Sequence, residues 1–112
     1  MTTRDDVRQI LSAWKSGDKD ELAVWQWAET AKQDTPADDL VRDLIDNLAM
    51  LPFDMITTDD IDVMLDALAN PLSETDLSIN LLWNHLDGIF VDQRRHDLRD
   101  HPFYGQFCDG MG

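Results

Sequence analysis

Five carboxylates crowd one short stretch of the chain: Asp54, Asp59, Asp60, Asp62 and Asp66, with no lysine or arginine among them. Carboxylates at this density can hold a hard divalent cation, share a proton as an acid–base pair, or meet the basic groups of a partner. A calcium loop needs oxygens at fixed spacing, a central glycine and a terminal bidentate glutamate. This stretch has no glycine, and apolar Met64 and Leu65 interrupt it, so it is not an EF-hand. Weak, nonspecific cation association is the expectation, not a built metal site. The histidines add no ligand set: His85 stands alone, and His96 and His101 are five apart, off one helical face. Cys108 lies in a glycine-rich tail beside Asp109 with no base at hand to activate it. Acids are too many for any acid–base pair to stand out. The reading is a non-enzyme, with no catalytic residue, metal or cofactor. A small hydrolase with a divalent ion on the aspartate cluster is the least favoured alternative.

Charge is distributed unevenly. Residues 1–42 hold 6 basic and 9 acidic side chains, whereas Asp43 through Gln93 hold 11 acids and no base. Arg94, Arg95 and Arg99 then follow. Of the 23 acids, 20 are aspartate, the poorer helix former, which local capping explains only near helix starts. Like charges one turn apart, such as Asp62 and Asp66, cost a helix a few tenths of a kcal/mol. Three readings remain open: a solvated face, an adaptation to salt (only three lysines occur), or a face complementary to a basic partner. On the last reading the partner-binding residues are Asp54, Asp59, Asp60, Asp62 and Asp66. Trp25 joins them as a candidate anchor. It stands two residues from Trp27, so both cannot share one narrow helix face, and one of the two must reach a second layer or the surface.

The elements that position these groups are helices. Apolar residues recur at i, i+3, i+4, i+7 in five segments. Val7, Ile10, Leu11 and Trp14 form the first, opened by a Thr3–Asp6 cap and stopped at Gly17. Val24, Trp27, Ala28 and Ala31 form the second, behind a capping box over Asp18–Glu21 and flanked by Leu22 and Trp25. The third runs through Leu40, Val41, Leu44, Ile45 and Leu48, behind a Thr35 cap and Pro36, and ends at Pro52. A loop pinned by Phe53 and Ile56 leads to a cap at Thr57 or Thr58. The fourth helix then carries Ile61, Met64, Leu65 and Leu68 and stops at Asn70-Pro71. The fifth and longest places Ile79, Leu82, Trp83, Leu86 and Phe90 inward. Gly88 inside it marks either a close helix crossing or a break. Beyond it, Phe103, Tyr104 and Phe107 predict an extended strap packed on the bundle. No segment alternates long enough for a strand.

Length and composition bound the rest. A chain of 112 residues, 43% hydrophobic, suits one domain with a core of its own and disfavours acidic disorder. The expectation is a single helical domain over 1–112, with 97–112 as the packed tail. One cysteine excludes an internal disulfide. No apolar run approaches the roughly 20 residues a spanning helix needs, and the first residues carry no signal-peptide pattern. A net charge of −14 opposes binding to nucleic acid or anionic lipid. Neither nucleic acid nor membrane is expected as a partner, and a cytoplasmic location is.

The opening helix Ile10-Leu11-Ser12-Ala13-Trp14, the Ser16-Gly17-Asp18 turn, and Leu22 through Glu29 with its Trp and Ala form a helical hairpin. A helix ending near Leu51 and a restart at Thr57-Thr58-Asp59-Asp60 extend the pattern to about residue 70. This arrangement resembles the small, acidic, all-helical bacterial immunity proteins that neutralise nuclease toxins, in style the colicin-D-type group. The C-terminal third lies outside the resemblance. The resemblance implies that the acids of residues 54–66 pair with catalytic basic groups of a nuclease. The combined expectation is an all-α, compact bundle of four to five helices with an irregular C-terminal tail. Its function is that of an acidic interaction protein blocking a basic partner, a nuclease toxin on this resemblance. The alternative is a soluble helical protein whose acidity serves solubility or a saline habitat.

Overall fold

The structure, a computed structural model, describes residues 1–108. It is all-α: 69% of the described residues are helical and none lies in a strand. There are seven helices among them, not four or five: α1 (Arg4–Ser16), α2 (Glu21–Ala31), α3 (Asp39–Ala49), α4 (Ile61–Ala69), α5 (Thr75–Asp87), α6 (Val91–Asp97) and α7 (Gly105–Cys108). The first five fall on the five apolar periodicities. The two extra helices have no such stripe. α6 begins where Gly88 ends α5, so the glycine marks a break, and α7 is a single turn.

α1 starts with a reciprocal cap between Thr3 and Asp6 and stops at Gly17, whose φ of 89° is left-handed. Two other helix starts differ from expectation. Asp20, not Asp18, caps α2 by accepting the Ala23 amide at 2.9 Å. Asp38 caps α3 through the Val41 amide, while Thr35-Pro36 lies alongside Thr2 as a short parallel bridge. An aspartate oxygen at the first position outside the helical backbone satisfies an orphan amide, which neither alternative does.

α3 is the centre of the core. It buries Leu40, Val41, Leu44, Ile45, Leu48 and Ala49, and it packs against α1, α2 and α5. α4 closes the other side against α1 and α5. α5 departs from expectation: only Ser78 and Leu82 are buried, whereas Trp83 and Phe90, expected inward, are exposed. Trp83 lies on the edge of the α3 contact, where its Nε1 donates to Asp43 Oδ2 at 3.1 Å.

The chain from Leu98 turns back over the core. Tyr104 is buried, and its hydroxyl donates to the Ile56 carbonyl. Gly105 is required here, because a Cβ would strike the Arg99 carbonyl oxygen. The strap is therefore coiled through turns and α7, not extended. Its last four residues, 109–112, lie outside the described residues.

Candidate functional site

The carboxylates read as one group divide into two. Thr57 opens a single 3-10 turn, Thr58–Asp60, that leads directly into α4. Its hydroxyl accepts the Asp59 amide at 3.2 Å, and Asp60 Oδ2 accepts the Thr57 amide at 2.9 Å. This reciprocal cap turns Asp60 inward, where it is fully buried. Arg94 of α6 grips it with two donors, Nη1 to Oδ2 at 2.7 Å and Nη2 to Oδ1 at 3.1 Å. His85 Nε2 of α5 lies 2.8 Å from Oδ1. Arg94 Nη1 also donates to the Met55 carbonyl at 3.0 Å, where the backbone takes a left-handed φ of 54°. Burial by itself would raise the Asp60 pKa. The hydrogen bonds from Arg94, the Thr57 amide and His85 outweigh it and hold the carboxyl below its ordinary value. The hydrogen bond to Asp60 raises Arg94 against the opposing effect of its own burial. Burial also pushes the Tyr104 phenol up. Asp60 therefore leaves the partner-binding set: it is a buried clamp joining α4, α5 and α6.

The remaining acids face water. Asp59, Asp62 and Asp66 are exposed, and at spacings of three and four residues they share the outer side of the 3-10 turn and α4. Asp54 is exposed on the turn before them. The nearest relief for their repulsion comes from another helix: Lys15 Nζ of α1 lies 2.5 Å from Asp62 Oδ1, in a pair exposed on both sides. Such a pair stabilises by at most about 1 kcal/mol.

Trp25 also turns inward. Its Nε1 donates to the Ala49 carbonyl at 2.9 Å, and its ring meets Phe53, Phe103 and Phe107 edge-on at centroid distances of 6.0, 6.0 and 5.4 Å. With the strap and the Phe53 turn around it, it anchors the C-terminal segment and is not a free docking residue. Trp27, its neighbour in the sequence pattern, is half-buried against the core.

Two sets of contacts were not foreseen from the residues. One is the Asp60 clamp. The run Thr57-Thr58-Asp59-Asp60 has the form of a capping box, which marks its last residue as turned toward the backbone. Nothing in the sequence ties it to Arg94, 34 residues on. The other is Arg4, whose guanidinium donates to Asp38 Oδ2 at 2.8 Å, the Asn70 carbonyl at 3.0 Å and Thr75 Oγ1 at 3.0 Å. It joins the starts of α1, α3 and α5. Hydrogen bonding to Arg4 and to the Val41 amide lowers the Asp38 pKa despite partial burial, which acts the other way.

In all, Arg4, Arg8, Lys15, Arg42, Arg94 and Arg95 lie against carboxylates, six of the nine basic residues. Four of them reach acids of the tract itself, Lys15 to Asp62, Arg42 to Asp43, Arg94 to Asp60 and Arg95 to Asp92, and its other acids have no such pair among the described residues. Among the described residues no three of His, Cys, Asp and Glu converge as metal ligands, and no helix is long and apolar enough to cross a membrane. No family model matches the chain, and neither a curated protein nor a solved structure does.

Proposed function

We propose that this chain is a non-enzymatic acidic interaction protein that binds a basic protein partner. The carrying observation is that Asp54, Asp59, Asp62 and Asp66 all stand in water within a tract, Asp43 to Gln93, that has no lysine or arginine. A predominantly acidic surface of this kind, met by a cation only where Lys15 reaches Asp62, raises encounter rates with a basic partner and disfavours acidic ones. The resemblance to colicin-D-type immunity proteins extends the reading to a nuclease toxin in a bacterial cytoplasm. The chain would block it by occlusion, with no chemistry, cofactor, nucleic acid or membrane of its own.

The test is capture of partners from the source organism, followed by association kinetics at two salt concentrations. Raising salt from 0.1 to 1 M shortens the Debye length from about 10 to about 3 Å. Association should slow accordingly. Asp59→Lys with Asp62→Lys should slow it by roughly tenfold at low salt, while the free protein stays folded. Unchanged kinetics with a genuine partner would move the interface elsewhere. Capture of no basic partner would favour the reading in which the acids serve solubility.

A further inference from the structure

We infer that the outward face of α5 docks a basic amphipathic helix of the partner. This rests on the basic-partner reading above and adds an apolar contact to it. Leu77 and Leu81 are 57% and 39% exposed and lie one turn apart on α5. Asn84 and Gly88 continue the same row at the next two turns. Both line the groove where α5 gives way to α6, beside Phe90, which is 80% exposed. The row from Leu77 to Gly88 is about 16 Å long at the helical rise of 1.5 Å per residue. It therefore offers about three turns of helix two leucines at one end and the Phe90 ring at the other, with the low relief of Asn84 and Gly88 between them. Leu72, also exposed, stands at the other end.

Charge selects the occupant. Asp76 and Asp87 fall on one flank of the row, separated by three turns, and both are exposed. Asp92 stands in water just past Phe90 but is paired with Arg95 at 3.4 Å, so the uncompensated charge along the row is that of Asp76 and Asp87. Arg94, which also lines the groove, is committed to Asp60. A second copy would bring another net charge of −14 against these carboxylates. An anionic membrane surface is opposed for the same reason. A helix with leucine-type residues at i, i+3, i+4 and i+7 and lysine or arginine on its borders satisfies both features. Its apolar side covers Leu77, Leu81 and Phe90, and its cations meet Asp76 and Asp87.

The probe is a synthetic Leu/Lys peptide of about 14 residues, roughly 20 Å as a helix, with leucines at helical spacing. Its control has the same composition with the leucines scattered so that no apolar face forms. Calorimetry should show the patterned peptide binding the full chain at least about tenfold more tightly than the scrambled one. Leu77→Gln with Leu81→Gln, two exposed changes that leave net charge unaltered, should remove that difference; circular dichroism checks that the variant is folded. Equal binding of the two peptides, or no effect of the leucine changes, overturns the inference. Binding of both peptides with equal salt sensitivity would do so while leaving the basic-partner reading intact, since that reading stands or falls by the partner capture. Sedimentation showing a dimer broken by the leucine changes would make the occupant a second copy and also overturn it.

Discussion

α1 and α5 are both 13 residues long, yet they are held in different ways. α1 buries Val7, Ile10, Leu11 and Trp14, begins with a reciprocal side-chain cap and ends at a left-handed glycine. α5 buries only Ser78 and Leu82, and no side chain caps its start. Ile79 and Leu86 pack half-buried against the core beside Leu82, and polar contacts from outside add to them: Arg4 to Thr75, Trp83 to Asp43, and His85 to Asp60. The difference teaches how a helix can be fixed without being covered. A helix held by its stripe has one face in the core. A helix held by a narrow stripe and a few polar points can keep other apolar residues in water, which suits it to meet another molecule.

The strongest way to break the comparison is through the stripe. Trp14 is 3% exposed, and Trp14→Ala should destabilise the chain by about 3–5 kcal/mol in a denaturant titration. Its indole N–H has no partner among the described residues, so Trp14→Phe should cost less than the alanine change would by area alone. Leu82 is the counterpart in α5: fully buried, it should cost about 2–4 kcal/mol as Leu82→Ala. A loss below 1 kcal/mol at Trp14 would mean that α1 is not held by its stripe.

The next effect tests the polar points. Asp60→Ala leaves Arg94 without its carboxylate and the Thr57 amide without its acceptor, and should cost about 3 kcal/mol. Arg94 and His85 are not fully buried, so water can recover part of the loss. The pH dependence has a definite sign. Asp60 has a lowered pKa in the folded chain, so its contribution is complete above its ordinary value of roughly 4. It is lost as the pH falls from there through the folded value. Acid titration of stability should therefore be less steep in the alanine variant than in the wild type. Parallel titrations would remove the clamp from the acid response.

Much of the fold is legible in the sequence because α1 and α3 bury their stripes whole, and α2 and α4 bury theirs but for the half-buried Trp27 and Leu65. Val7-Ile10-Leu11-Trp14 and Leu40-Val41-Leu44-Ile45-Leu48 are buried as their spacing requires. α5 misleads because leucine and tryptophan occupy more of its circumference than the core covers, and spacing alone does not say which part turns inward. Only tertiary contact decides that. α6 is illegible for the opposite reason: Val91 to Asp97 has no apolar period, and it is anchored by the Arg94 pair. The acidic site is legible as a tract but not as a surface. Asp59 and Asp60 are identical in type and adjacent, yet one lies in water and the other in the core. That one of Trp25 and Trp27 must leave the α2 stripe is legible from their spacing, but the partners of Trp25 come from the Phe53 turn and the strap, up to 82 residues away by the count from Trp25 to Phe107.

A smaller effect sharpens the comparison at the end of α1. Gly17 has φ 89°, and a Cβ there would meet nothing within 4 Å. Gly17→Ala should therefore cost only the left-handed backbone penalty, about 1 kcal/mol, with no packing loss. Gly17→Asn should cost less, because asparagine tolerates that region. If the two variants were equally unstable, close packing instead of backbone conformation would explain the glycine.

The smallest expected effect is the one that decides what α5 is for. Leu77 is 57% exposed, so Leu77→Ala should change stability by no more than about 0.5 kcal/mol, a small fraction of the loss expected at Leu82. Alanine is also the better helix former, which offsets part of any lost contact. Chemical denaturation of Leu77→Ala and Leu82→Ala side by side measures the contrast directly. A Leu77 cost close to that of Leu82 would mean that its side chain is covered in solution, by the strap or by a second copy. The row on α5 would then be part of the core, with no free face for a partner. A near-zero cost means that a leucine remains in water on the helix without serving the fold. Such a residue can be removed without unfolding the protein, so its loss can be read in binding alone.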